Sequence, residues 1–256
     1  MNRRTTIARL AAVALLPGRA WAMAPAPWQA SLIGGAFDGA SFVAGVRVVL
    51  DEGWKTYWRM PGDAGIPPQF DWTKSAGTAA IEVLYPLPGR FQDGSGETVG
   101  YQHEVIFPVR VKPLAGADAA RLALDLFFAV CKEVCIPARA QLALALPQAS
   151  RQSADDALVA RWIGRVPVAG TPVASASAIG EDGRPVLRLG LSAAASDIFV
   201  EADGSSYFHA PVFSADGLVA RIAVDGLKDV SALRGLALKL TVVTAGSALE
   251  QSLTVA

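Results

Sequence analysis

Cysteine is almost absent: 256 residues hold two, Cys131 and Cys135. Histidine is as scarce, with His103 and His209 only, and Met60 is the sole methionine well inside the chain. A zinc site needs three or four nitrogen, sulfur or carboxylate ligands, and these few residues are too scattered to supply one. The disulfide framework of a small secreted scaffold is excluded by the same count. Basic charge is not in excess, since 23 Lys and Arg face 23 Asp and Glu. Nothing therefore points to nucleic acid or an anionic membrane surface as a partner. Phosphate-binding loops, G-x-S-x-G elbows and H-E-x-x-H helices are missing, and no pair of carboxylates is set up for hydrolysis. Beyond the first 22 residues no apolar run reaches 18, so no membrane-spanning helix is expected and the mature chain reads as soluble.

What is present begins with an export signal. MNRRTTIARLAAVALLPGRAWA has a basic start, a short apolar stretch and an Ala20-Trp21-Ala22 ending, which marks residues 1–22 as a cleaved signal peptide. Arg3-Arg4 hints at the twin-arginine route, but Thr5-Thr6-Ile7 fits that route poorly and the general secretory route is favoured. Cleavage removes four arginines and no acid, leaving 234 residues with 19 basic and 23 acidic side chains. That length suffices for one large domain or two small ones.

Alternation dominates the rest. Phe42, Ala44, Val46, Val48 and Leu50 share one face, as do Leu122, Leu124, Leu126, Phe128 and Val130. Val105–Val111, Gln141–Leu146, Leu187–Leu191, Leu218–Val224 and Leu236–Val242 follow the same period of two. Such runs, separated by Asp-Gly turns, predict half-buried strands and an all-β sandwich architecture. One polar break, 149–153, precedes an amphipathic stretch in which Ser153 suits an N-cap and Asp155 and Asp156 suit a first helical turn. The expectation is two immunoglobulin-like β-sandwich domains, 23–148 and 166–256, joined by a linker with a short helix at 149–165.

The cysteines sit in Ala-Val-Cys131-Lys-Glu-Val-Cys135-Ile-Pro137. In a straight strand their Cα atoms would lie about 13 Å apart, at roughly 3.3 Å per residue. A disulfide needs about 7 Å or less, so the chain must turn within this segment. One helical turn would bring the sulfurs together, with Pro137 ending it and a new strand starting near Gln141. The pair then lies at a tip of the sheet. Strand parity puts Cys131 on the side of Arg121, Ala123 and Asp125, away from the leucine face and toward solvent or a shallow cover. A disulfide closing so short a loop adds little stability, which weakens the reading of a structural staple. An accessible short-loop disulfide is instead open to attack by a visiting thiolate.

Three segments carry a resemblance: Glu52-Gly-Trp-Lys-Thr-Tyr-Trp-Arg-Met-Pro-Gly-Asp-Ala-Gly65, Tyr101 with Val105-Ile-Phe-Pro-Val109, and Cys131-Lys-Glu-Val-Cys-Ile-Pro137. Over about residues 30–146 the chain resembles the periplasmic amino-terminal region of the DsbD family of thiol–disulfide interchange reductases, above all its suppressor-of-copper-sensitivity (ScsB) branch. The resemblance implies an immunoglobulin-like domain in the periplasm. It also implies a redox pair, Cys131 and Cys135, that takes electrons from a membrane-embedded thiol reductase of the DsbD or CcdA kind and passes them to thioredoxin-like proteins. No cofactor is implied. Phe91, in a Gly- and Pro-containing loop, matches an aromatic cap, and Tyr57 and Tyr101 match site-lining positions. The cysteine spacing is narrower than in the DsbD domain, so the geometry of that site does not carry over. Trp54 and Trp58 read as core, and His103 as surface. A copper(I) site on the two thiolates, or an interaction module with a structural disulfide, stays open as the alternative, since soft sulfur suits that ion.

Overall fold

A computed structural model describes residues 25–62, 65–93, 96–117, 119–147, 154–204 and 206–256. The expected export signal at 1–22, the polar break at 149–153 and the expected Ser153 cap lie outside the described residues. The first half contributes β1 (Trp28–Phe37), β2 (Phe42–Leu50), β3 (Lys55–Gly62), β4 (Gln69–Asp71), β5 (Thr78–Val83), β6 (Gly89–Asp93), β7 (Gly96–Gln102), β8 (Glu104–Pro113), β9 (Ala119–Cys131) and β10 (Cys135–Pro147). The second half contributes β11 (Val168–Ala169), β12 (Val173–Glu181), β13 (Arg184–Leu191), β14 (Ala195–Ala202), β15 (Tyr207–Phe208), β16 (Val212–Phe213), β17 (Val219–Asp225), β18 (Ala237–Thr244) and β19 (Ala248–Thr254). Among the described residues the protein is all-β apart from α1 (Ala154–Ile163) and one 3-10 turn at Val230–Leu233.

The first half forms two sheets, β1-β2-β8-β5 and β10-β9-β3-β7-β6, with β4 added alongside β9. Inward side chains from both meet in one core, where Phe42, Val46, Phe107, Leu122, Leu124 and Phe128 are almost wholly buried. The second half repeats the plan with β11-β19-β18-β14 and β12-β13-β17-β15 around Leu187, Leu189, Ile198, Ile222 and Leu240. Period-two alternation places every second residue in a core, so the strands read from the sequence recur at their expected positions.

The helix is not a free connector. Val159 and Trp162 on α1 are buried in the first core. Asp156 Oδ1 accepts from the Ala36 amide at 3.1 Å. The seat of α1 rests on glycine in β2 as well: a Cβ on Gly45 would lie 2.6 Å from Ile106 and 3.0 Å from Val159.

Two arginines join the halves. Arg59 from β3 bonds Glu201 through Nε and Nη2, each at 2.7 Å, and also Glu250, which in turn takes Lys239 at 2.9 Å. Its guanidinium stacks 4.7 Å from the Trp58 ring, and Trp58 meets Phe199 of β14 edge-on at 5.6 Å. Arg90 from β6 bonds Asp197, Glu97 and the Ile198 carbonyl. Burial pushes the Glu250 carboxyl up, but hydrogen bonds from Lys239 and Arg59 outweigh it and hold its pKa below the ordinary 4.5. A carboxyl depressed by folding contributes stability that is complete above its unfolded pKa and is lost as pH falls through the folded one. Thermal melts of the full chain between pH 7 and pH 3 are therefore expected to fall below about pH 4.5, and to fall less in Glu250→Gln. Identical acid dependence in the two proteins would show that Glu250 does not couple to the joint.

Candidate functional site

β9 and β10 form a hairpin in unbroken register from Ala119 opposite Pro147 to Cys131 opposite Cys135. The cysteines are thus the last facing pair before the turn Lys132-Glu133-Val134. They are joined as a disulfide with Cα atoms 4.1 Å apart. This corrects the helical turn expected from spacing: facing residues of antiparallel strands already lie about 4.5–5.5 Å apart, so a hairpin closes the gap unaided. It also corrects the strand boundary, which is Cys135 and not Gln141. Pro137 is tolerated inside β10 because that strand is the edge of its sheet.

Parity holds up to the tip. Leu122, Leu124, Leu126, Phe128 and Val130 enter the core, whereas Ala129 and Cys131 lie on the opposite, outer face with Tyr57. Outer does not mean open. Cys131 is only 2% exposed, while Cys135 is exposed. The difference comes from β3. Lys55 stands opposite Cys131 in the ladder, so Lys55 and Tyr57 share the outer face beside it. The Tyr57 hydroxyl donates to Cys131 Sγ at 2.7 Å and lies 3.3 Å from Cys135 Sγ. Tyr57 is itself buried, because the backbone at Gly65 packs flat on its ring; a Cβ there would sit 2.6 Å from two ring carbons. Lys55 is buried too, and its Nζ donates to Thr98 Oγ1 at 2.7 Å. Lys132 folds back over Gly53, its Nζ 3.4 Å from the Glu52 carbonyl.

Of the aromatic positions singled out from the sequence, only Tyr57 touches the sulfurs. Tyr101 is opposite Thr56 on the inner face, where its ring packs on Phe107 at 5.5 Å and its hydroxyl donates to the Pro86 carbonyl at 2.7 Å. Burial pushes its phenol well above the ordinary range. Phe91 is on the outer face but on β6, opposite Thr98, with its ring folded over Gly89. The sheet order puts β7 and β3 between β6 and β9, a lateral distance of about 14 Å at roughly 4.8 Å per strand. The cover over the pair is therefore Tyr57 with the Gly65 segment. Sequence reasoning missed Lys55 and Gly65; the signal for Lys55 was its position two residues before Tyr57, on the same face of one strand. Among the described residues no group of three or more His, Cys, Asp or Glu side chains converges as a metal site.

Chemically, the arrangement presents one sulfur to solvent and holds the other beneath a hydroxyl donor. A thiolate attacking the open sulfur would expel the covered one beside a hydrogen-bond donor already in place.

Comparison with known proteins points to thiol–disulfide interchange in general. Residues 26–147 match the family described as "Thiol:disulfide interchange protein DsbD, N-terminal". Among solved structures, the N-terminal periplasmic domain of ScsB from Proteus mirabilis is 24% identical and superposes with a TM-score of 0.66, covering 89% of this chain and 91% of that one. At that identity the likeness is one of fold, and it spans both halves. The CupB2 chaperone of Pseudomonas aeruginosa aligns over 84% of this chain and 93% of its own at 8% identity, with a TM-score of 0.23 that is too low to carry an argument. No curated protein matches the chain.

Proposed function

Residues 26–147 are a domain of the DsbD amino-terminal thiol:disulfide interchange family, and from that premise we propose that the chain is a periplasmic electron relay. Its Cys131–Cys135 pair takes electrons from a membrane-embedded thiol reductase and passes them to thioredoxin-like proteins. In this reading 23–148 is the immunoglobulin-like redox domain, 149–165 the connector and 166–256 a second sandwich that supports it. The observation that carries the proposal is the asymmetry of the pair: Cys135 exposed, Cys131 covered and hydrogen-bonded by Tyr57.

Loading starts when a donor thiolate attacks Cys135 Sγ. A donor–Cys135 disulfide forms, the Cys131–Cys135 bond breaks, and Cys131 leaves with the electron pair as a thiolate. The donor's second thiolate then attacks its own bridged sulfur and releases Cys135, so two electrons have entered the pair and the donor is oxidised. Unloading reverses the roles. Cys135 attacks an acceptor disulfide, and Cys131 then attacks Cys135 Sγ and expels the reduced acceptor.

Tyr57→Phe tests the donor. A hydrogen bond to a charged group contributes about 1.5–3 kcal/mol, so reduction by a small thiol at pH 7 is expected to slow by about tenfold or more. The melting temperature should change little, because the ring and its packing remain. An unchanged rate would remove Tyr57 from the chemistry. The midpoint potential of the pair tests the relay itself: a value above about −300 mV marks a labile bond, and a lower one a structural disulfide. The copper(I) alternative would rest on the two sulfurs alone, and tight stoichiometric binding to the reduced protein without exchange activity would favour it.

A further inference from the structure

Cys135 offers more than an open sulfur. β10 is the outer strand of its sheet, and among the described residues its only strand partner is β9. In an antiparallel pair, facing residues alternate between exchanging both main-chain hydrogen bonds and turning both groups away from each other. Three observations give the phase here. The Lys132 amide donates to the Val134 carbonyl across the turn at 3.4 Å. The next pair, Cys131 and Cys135, has the close Cα spacing of a pair that exchanges no bonds. Two residues back, the Ala129 carbonyl accepts from Thr56 Oγ1 of β3 at 2.9 Å, so it faces away from β10.

In that phase the N–H and C=O of Cys135 both point to the open side of the sheet. So does the nitrogen of Pro137, which has no hydrogen to leave unpaired. Exposed apolar residues flank Cys135 along the chain, Val134 at 71% and Ile136 at 39%. Farther along, the edge is shut: Leu146 and Leu144 pack against β1 at Gly35, where a Cβ would lie 2.6 and 3.9 Å from them. The open stretch of edge therefore begins at the reactive residue and ends where Leu144 and Leu146 meet β1. A row of unpaired main-chain donors and acceptors on a sheet edge is the template for strand addition.

We propose that the redox partner docks by strand addition: an extended segment of the partner protein, with apolar residues on either side of its cysteine, pairs with the main chain of Cys135 and delivers its sulfur to Cys135 Sγ. This rests on the thiol-exchange reading above. Main-chain pairing holds any extended cysteine segment regardless of its side chains, which suits a relay that must meet a donor and an acceptor at one site.

The test uses the reduced full-length Cys131→Ser protein and a five-residue apolar peptide whose single cysteine is disulfide-bonded to thionitrobenzoate. The Cys135 thiolate attacks the peptide sulfur, forms the peptide–Cys135 disulfide and releases coloured thionitrobenzoate. Each peptide nitrogen is methylated in turn. Capture is expected to slow about fivefold at alternate positions, the equivalent of one main-chain hydrogen bond, and to stay within twofold at those between. Hydrogen exchange of the Cys135 amide should slow in the unmethylated adduct only. A flat methylation pattern with no amide protection would overturn strand addition, and so would concentration-dependent dimers that protect the same amide without peptide. The thionitrobenzoate disulfide of glutathione separates the two levels. If it reacts normally while the pattern is flat, only the docking mode fails; if it too is inert, the exchange reading fails.

Discussion

Mixed disulfides are expected to accumulate in Cys131→Ser and never to form in Cys135→Ser. A partner's sulfur must approach along the axis of the bond it breaks, and only Cys135 is open to that approach, since Cys131 is 2% exposed beneath Tyr57 and the Gly65 segment. With Cys131 gone, Cys135 can still attack an acceptor disulfide, but nothing within the protein resolves the adduct. With Cys135 gone, the remaining thiol is covered and a serine hydroxyl is essentially un-ionised at neutral pH. Exchange should then fall by at least about a thousandfold. Non-reducing electrophoresis after mixing each reduced variant with an oxidised thioredoxin-like protein reads the result directly. Equal trapping by both variants would mean that the cover opens freely and that the asymmetry has no kinetic role. Trapping by Cys135→Ser alone would reverse the assignment of the two sulfurs.

Gly100→Ala is expected to cost about 3 kcal/mol, at the upper end of overpacking, and to lower the melting temperature by roughly 6–12 °C for a chain of this size. Gly100 faces Tyr57 across the β3–β7 ladder. A Cβ at position 100 would stand 2.0 Å from the Thr56 carbonyl oxygen and 3.0 Å from Tyr57 Cα. Both obstacles are backbone, so no side-chain rotation relieves the clash, and β3 must move away from β7. Such a shift carries Tyr57 with it, and sulfur accessibility should rise as stability falls. Alkylation of Cys131 in the reduced protein, compared with wild type under native conditions, would report the movement. A variant with unchanged melting and unchanged alkylation would show that β3 is not held from this side. The same strand carries Arg59, two residues past Tyr57, into its bonds with Glu201 and Glu250. Candidate site and inter-half joint therefore share one element.

Much of this site is written in local periodicity. The alternation through Leu122 to Val130 was enough to put Cys131 on the outer face, because each residue of a pleated strand turns over relative to the last. Tyr57 was identified through a motif and does meet the sulfurs. Tyr101 came from the same source yet lies inside, since it stands opposite Thr56, which is out of phase with Tyr57. Phe91 has the right face and the wrong strand. Its loop is close to β3 in sequence, but β6 pairs with β7, and β7 lies between it and β3. Arg59 and Arg90 gave no signal as anchors, because an arginine on a strand looks the same whether it faces water or a buried carboxylate of another element.

The sequence by itself determined the all-β character, the positions of the main strands, the solitary sulfur pair and the need for a turn between its members. These follow from steric rules acting over a few residues. Only the tertiary structure decided which sulfur is covered, what covers it, and that α1 packs into the first core and is no free connector. Those outcomes depend on sheet order and on which strands lie side by side. Pairing across some 75 positions, as between Tyr57 and Cys131, is settled by the total burial of the whole fold and leaves no mark on either neighbourhood.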